Sequence, residues 1–153
     1  MCEFFSCIVT KENKVIWKEG VNGHEKLVLL GKLKDNTADS DKMRFARVEI
    51  TPPNGDVFEK NIKKWTLKID ESITPVWFSK KNEKACFEAL KECLKKVIID
   101  GKKIENLTDR HGLYIRNSEI QSVKGGTIQS VKGGTIQYVE GGTIQYVEGG
   151  TIQ

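Results

Sequence analysis

The sequence has little of what marks an exported or membrane-spanning protein. Its 153 residues contain only three prolines and no long apolar run, whereas a helix that spans a bilayer needs about 20 consecutive apolar residues. The start, MCEFFSC, has neither the basic segment nor the apolar stretch of a secretory signal peptide. We therefore expect a cytoplasmic protein without a membrane segment.

The four cysteines are not spaced as a disulfide framework or a zinc site. Cys86 and Cys93 are seven residues apart in a helical pattern, which separates them by about 10 Å along the axis and is too far for a disulfide. Cys2 and Cys7 have opposite parity in an extended pattern and so point to opposite faces. No C-x-x-C motif occurs. We predict free thiols in a reducing compartment, no metal site and no cofactor.

Catalytic signatures are also scarce. If Met1 were removed, Cys2 would become an N-terminal nucleophile with its own α-amine as base, and His24 is a candidate partner for it. Enzymes of that type usually begin with Cys-Gly, whereas Glu3 follows Cys2 here, and the first 112 residues are too few for their large fold. A capping or surface role for His24 and a solvated position for His111 are the simpler interpretations. The sequence therefore favours a protein that is not an enzyme.

Residues 1–112 contain alternating strand and helix patterns. Aromatic and β-branched residues predict four strands, over residues 3–10, 15–17, 43–51 and 64–70. The first two are separated by a polar turn and should form a hairpin. Strands and helices in this order predict an α+β domain, with a small antiparallel sheet and a longer helix that covers one face.

Two helices are predicted in this domain. The first covers residues 23–31, with Asn22 as N-cap and Glu25 placed as in a capping box. The second covers residues 80–99, begins after Ser79 and stops before Gly101.

The polar face of the second helix carries four lysines, Lys80, Lys84, Lys91 and Lys95. A solvated helix face is the simplest interpretation, and a contact with an acidic partner is the alternative. The net charge of the chain is only +4, far below that of a dedicated nucleic-acid binder. Binding to nucleic acid is therefore possible but not favoured.

From Gln121 the chain consists of octapeptides, QSVKGGTI twice and then QYVEGGTI twice, and it ends at Gln153. Residues 113–120, LYIRNSEI, are a divergent copy in the same register. A unit of eight residues cannot bury its own Val and Ile, so such units become stable only by stacking. The paired glycines supply tight corners and exclude a helix. We therefore divide the chain into an α+β domain, 1–112, and a β-repeat segment, 113–153.

Two architectures compete for the repeat, a β-solenoid and a meander of hairpins. If neighbouring strands are sixteen residues apart, Lys124 lies over Glu140 and Lys132 lies over Glu148, and opposite charges on adjacent strands attract. A spacing of eight residues would instead bring like charges together in two of the three contacts. The charges therefore favour a solenoid with two octapeptides per coil, although Arg116 over Lys132 opposes it.

The repeat segment should also assemble copies of the chain. An exposed β edge recruits partners, so we expect a homo-oligomer that forms through residues 113–153. The alternative is a monomer in which the α+β domain covers the edge. The residues expected to support assembly are the apolar positions of the repeats: Val123, Ile128, Val131, Ile136, Tyr138, Val139, Ile144, Tyr146, Val147 and Ile152.

The chain resembles a group of small bacteriophage and prophage proteins without an established activity. The resemblance is carried by MCEFFSCIVT, by the helix start Gly23-His24-Glu25, by RVEITPPNGD, KWTLKID and ITPVWF, by the Lys-rich helix, and by the Val-x-Gly-Gly-Thr-Ile units. It implies an association with phage and assigns no functional residues. We thus expect a non-enzymatic phage accessory protein that binds a macromolecular partner, for which a host factor is one candidate. A small enzyme that uses Cys2 and a weak nucleic-acid binder are the alternatives.

Overall fold

The computed structural model describes residues 4–34 and 42–153. Contacts divide the chain into two compact units, one that extends to Cys93 and one from Leu94 to Gln153. We call them the α+β unit and the parallel unit. The boundary predicted after residue 112 thus falls inside the parallel unit. No helix among the described residues is both long enough and apolar enough to cross a membrane.

The α+β unit contains an antiparallel sheet of four strands, in the order β2-β1-β3-β4. The strands are β1 (Phe5–Thr10), β2 (Val15–Ile16), β3 (Phe45–Thr51) and β4 (Thr66–Ile69). β1 and β2 form the predicted hairpin, with Ile8 opposite Ile16. Two short 3-10 turns, Pro53–Gly55 and Ile62–Lys64, lie between β3 and β4. The predicted mixed α+β class is confirmed.

Helices approach both faces of this sheet. The first helix, α1 (His24–Leu30), places Leu27 and Val28 in a buried cluster with Ile8 of β1. The second helix, α2 (Lys80–Val97), brings Cys86 against Cys7, which points to the opposite side of β1. Because both faces are covered, every residue of β1 is buried.

The start of α1 differs from the prediction. Its N-cap is Gly23, which makes no side-chain capping hydrogen bond, so the capping box expected at Asn22 is wrong. Glu25 does not reach back to the helix start, because its carboxylate instead accepts a hydrogen bond from Arg47 at 3.3 Å. An interaction with the sheet has replaced the local cap.

The start of α2 follows the prediction, and its end does not. The backbone N–H of Ser79 donates to Asn82 Oδ1 at 2.9 Å, which is half of a capping box. The helix ends at Val97 rather than at residue 99, because the next three residues form strand β5 (Ile98–Asp100). Parallel pairing with residues 114–116 overrides the helical periodicity at this point.

The parallel unit contains extended backbone whose paired residues are sixteen positions apart. It comprises β5, β6 (Lys103–Ile144), β7 (Val147–Glu148) and β8 (Thr151–Ile152). Ile99 pairs with Ile115, and Val131 pairs with Val147, both in parallel. A straight strand as long as β6 would extend about 140 Å and could not return to such a register. Corners with positive φ allow it to turn.

The periodicity of eight begins earlier than the visible repeat. Ile99, Leu107, Ile115, Val123 and Val131 are eight residues apart, and all are buried in one core. The corner positions recur with the same spacing and have positive φ, at Gly101, Asp109, Asn117, Gly125 and Gly133. Gly101 is therefore a corner and not the helix stop that was predicted. His111 is exposed, as expected, but it lies within β6 rather than in a linker.

Candidate functional site

The outer edge of the parallel unit is the surface that the repeat pattern singled out. Lys132 pairs in register with Glu148, and their charged groups are 4.0 Å apart. This is the sixteen-residue relation that the charges predicted. Arg116, whose charge opposes Lys132 in that register, forms an ion pair with Asp100 at 2.7 Å on its other side. Its charge is thus compensated within the unit.

Side chains in the divergent part of the repeat make contacts with the same spacing. Ser122 Oγ donates to Asn106 Oδ1 at 2.7 Å, and Lys103 Nζ lies 3.5 Å from Glu119. Each pair is sixteen residues apart. The register therefore depends on specific polar contacts as well as on the apolar core.

Glycine is required at the second position of three corners, Gly126, Gly134 and Gly142. A Cβ on Gly126 would collide with the backbone of Arg110, and a Cβ on Gly134 would lie 2.6 Å from the backbone nitrogen of Ser118. The neighbouring strand passes directly over these positions, again sixteen residues away. Close approach of two backbones therefore explains why the repeat keeps the second glycine of each pair.

Burial is lost at the outer edge. Val131 is fully buried, whereas Val147, its partner in the outermost strands, is 44% exposed. Ile136 is 1% exposed, and its partner Ile152 is 37% exposed. β7 and β8 each pair with β6, and they carry no further strand in this sheet among the described residues. The last strands of the chain therefore present apolar side chains and one unpaired edge.

The predicted assembly residues fall into three groups by burial. Four of them are interior and cannot also contact another chain: Val123, Ile128, Val131 and Ile136. Val139 and Ile144 are half-buried against the core. Four remain exposed: Tyr138, Tyr146, Val147 and Ile152. Only these last four are available on the surface of the chain.

The lysine face of α2 is exposed along its length, at Lys80, Lys84, Lys91 and Lys95. Two of these charges have carboxylate neighbours on the same helix: Lys80 lies 3.9 Å from Glu83, and Lys91 lies 3.1 Å from Glu88. Part of the charge of this face is therefore compensated locally, and both interpretations of the face stay predictions.

The candidate catalytic pair is not supported by a described contact. Cys2 lies outside the described residues. His24 is buried, so the surface or capping role expected for it is wrong. Its ring contacts the Val48 carbonyl oxygen at 3.1 Å and Asp70 at 3.2 Å. No local pattern indicated this cluster, because its members are far apart in the chain and come from α1, from β3 and from the residue after β4.

Among the described cysteines, Cys7, Cys86 and Cys93 are buried and form no disulfide. A hydrogen bond with Cys86, together with burial, raises the pKa of the Cys7 thiol well above its ordinary value. A thiol that stays protonated is a poor nucleophile. Cys7 is therefore a core residue rather than a reactive one.

Comparison with protein families, with curated proteins and with solved structures finds no match to this chain. Its assignment to a fold class therefore rests on its own strands and helices, and any function rests on the chemistry of the surfaces described above.

Proposed function

We propose that this chain is a non-enzymatic accessory protein of a phage or prophage, which acts in the bacterial cytoplasm. Its C-terminal part is a β-solenoid with two octapeptides per coil, and the outer edge of the solenoid joins two copies of the chain. The α+β unit of each copy then binds a macromolecular partner, for which a host factor is one candidate. The proposed link to phage rests on the resemblance in sequence. The proposed assembly rests on the unpaired edge of the last strands.

The observation that carries the proposal is that the outermost strands repeat the sequence with which they already pair. Residues 149–152, Gly-Gly-Thr-Ile, lie in register with residues 133–136, which have the same sequence. The unpaired side of these strands offers backbone N–H and C=O groups to a further strand, and the same edge of a second copy, run antiparallel, offers the complementary groups. A second copy is therefore the best-matched occupant of this edge.

The side chains at the edge are of the kinds that protein interfaces use. Tyr138 and Tyr146 are 57% and 56% exposed, and they occupy the position that serine holds in the two preceding octapeptides. Tyrosine is enriched at interfaces, because its ring buries apolar area while its hydroxyl keeps a hydrogen bond. Val147 and Ile152 add apolar area that stays in contact with water in a single chain.

A two-fold contact suits this edge. Two identical edges related by a two-fold axis run antiparallel, and the contact closes without leaving another free edge. The antiparallel arrangement also allows the register to offset Glu148 from the same residue of the second copy. A head-to-tail contact would leave one edge open and would predict fibres.

The experiment is a measurement of mass in solution by light scattering on the full chain and on two variants. The edge variant carries Val147→Asp and Ile152→Asp, which place two charges at the proposed contact. The control carries Leu29→Asp, which places a charge on a well-exposed apolar residue of the α+β unit. We expect a dimer for the wild type and for the control, and a folded monomer for the edge variant.

Two results would refute the assembly. One is a wild-type chain that stays monomeric at its highest soluble concentration, and the other is an edge variant that keeps the mass of the dimer. If the chain retains DNA or RNA, and this retention falls steeply with salt, the partner is a nucleic acid rather than a host factor of another kind.

A further inference from the structure

Three side chains with metal-binding atoms meet on the face of the sheet that α1 covers. They are His24 at the start of α1, Glu49 on β3 and Asp70 directly after β4. One nitrogen or oxygen atom from each residue lies within 4.8 Å of the other two. This cluster combines a buried imidazole with two carboxylates. The assembly proposed above does not involve these three residues.

The strand register brings the two carboxylates together. Glu49 lies opposite Lys68 in the pairing of β3 with β4. The Asp70 N–H donates to the Arg47 carbonyl oxygen at 2.8 Å, which continues that pairing beyond the end of β4. Asp70 therefore shares a face with Lys68 and lies diagonally across from Glu49, within reach of a side-chain contact.

The hydrogen bond of His24 determines which ring nitrogen carries the hydrogen. The Val48 carbonyl oxygen can only accept, so Nε2 donates to it at 3.1 Å. Nδ1 then faces the Asp70 carboxylate at 3.2 Å. An imidazole that donates one N–H to a backbone carbonyl and directs the other nitrogen at a shared point is the usual arrangement of a metal-binding histidine.

Two carboxylates share this space with the Nδ1 atom of the ring, so a positive charge there would be attracted to both. Lys68 lies opposite Glu49, with its side chain exposed to solvent. Arg47 does not supply the charge, because it is engaged with Glu71 at 3.1 Å and with Glu25 at 3.3 Å. A divalent cation would compensate both carboxylates at once.

The separation of His24 from Asp70 is that of two ligands on one small transition-metal ion, and the Glu49 carboxylate lies within 4.8 Å of both. Ligands at about 2.0–2.2 Å from tetrahedral zinc are separated from one another by about 3.3 Å, and His24 Nδ1 lies 3.2 Å from Asp70 Oδ2. One imidazole nitrogen with two carboxylates suits Zn²⁺, Mn²⁺ or Fe²⁺ better than Mg²⁺ or Ca²⁺, which prefer oxygen ligands alone. Asp70 is 51% exposed, so an ion can enter from solvent and water can complete its coordination.

The geometry points to a binding site for one divalent first-row transition-metal ion, held by His24 Nδ1 and by the carboxylates of Glu49 and Asp70. The ion ties the start of α1 to strands β3 and β4. Its remaining coordination positions face solvent and are open to water.

The test uses Zn²⁺ alone as the probe, added to the full chain after treatment with a chelator and followed by isothermal titration calorimetry. Asp70→Asn and Glu49→Gln each remove one ligand charge. Glu25→Gln is the matched control, because it removes an exposed carboxylate next to His24 that is not a ligand. Far-UV circular dichroism of the metal-free proteins verifies that each variant is folded.

We expect one Zn²⁺ per wild-type chain and a rise in the thermal midpoint of the α+β unit. Removing a ligand weakens binding by about tenfold or more, whereas the control stays within about threefold of the wild type. Absence of binding overturns the proposal, and so does an equal loss in the ligand variants and the control. Co²⁺ serves as a second probe, which tests whether the cysteines are the ligands. An intense thiolate charge-transfer band would show that sulfur binds the metal and would also overturn the proposal.

Discussion

The backbone contact at Gly134 gives the strongest test of the sixteen-residue register. Replacing Gly134 by alanine places a methyl group against the backbone of Ser118, 2.6 Å from its nitrogen, at a residue whose φ is +87°. The left-handed conformation costs an alanine about 1–2 kcal/mol, and forcing a methyl into a packed contact costs about 1–3 kcal/mol. Gly134→Ala should therefore destabilise the parallel unit by about 2–5 kcal/mol.

Alanine substitutions at two other glycines of the repeat distinguish the cost of backbone strain from the cost of the steric contact. Gly149 has a positive φ of +66° but has no atom within 4 Å of an added Cβ, so Gly149→Ala carries the backbone strain alone. Gly141 lies outside the left-handed region, and its nearest neighbour, the nitrogen of Gly125, is 3.6 Å away. Gly141→Ala should therefore stay within about 1 kcal/mol of the wild type. The expected order of destabilisation is Gly134, then Gly149, then Gly141.

The assay is urea unfolding of the full chain, followed with probes that separate the two units. All three tryptophans, Trp17, Trp65 and Trp77, belong to the α+β unit, so tryptophan fluorescence reports on that unit. Far-UV circular dichroism and hydrogen exchange of peptides from residues 94–153 report on the parallel unit. With an m-value of about 1–3 kcal/mol per molar urea, Gly134→Ala should lower the midpoint of the parallel unit by about 0.7–5 M. Equal midpoints for Gly134→Ala and Gly141→Ala would refute the register.

Two further predictions concern charge and ionisation. Lys132→Glu should destabilise the parallel unit by about 0.2–1 kcal/mol at low salt, since it sets a second carboxylate beside Glu148. Adding Glu148→Lys should restore the urea midpoint. A double variant whose midpoint is no higher than that of the single variant would contradict the pairing. For Cys7, burial and the hydrogen bond with Cys86 raise the folded-state pKa, so the thiol contributes stability that is complete below about pH 8.5, where the unfolded thiol ionises, and that declines as the pH rises further. The alkaline decline in the urea midpoint, read by tryptophan fluorescence, should be shallower in Cys7→Ala, and an unchanged slope would show that Cys7 is not its source.

Elements whose apolar residues recur with the spacing of a strand or of a helix could be predicted from the sequence. The alternation in residues 43–51 and the apolar stripe of residues 80–99 place β3 and α2 within two residues of their observed ends. The ends themselves were less predictable, because long-range partners decide them. Ile98 continues the helical stripe of α2, yet it forms a strand because Tyr114 lies in parallel register beside it. A local pattern does not contain that partner.

The environment of His24 could not be read from the sequence for a similar reason. A histidine beside Glu25 at a helix start is commonly a surface residue, and nothing nearby in the chain predicts its burial. Its contacts come from Val48 and Asp70, which the pairing of β3 with β4 and the packing of α1 bring to the same place. Only a correct sheet order would have identified this cluster in advance.

The repeat was most informative where its copies differ. A perfect octapeptide has the same residues at spacings of eight and sixteen, so its core and its corners cannot distinguish the two registers. The change from lysine to glutamate in the last two copies can, because only the wider spacing pairs Lys132 with Glu148. The divergent copies extend the same logic: Arg116 is compensated by Asp100, and Ser122 bonds to Asn106, both across sixteen residues. These departures from perfect repetition fix the register, while the conserved glycines and apolar residues supply the corners and the core that any register would need.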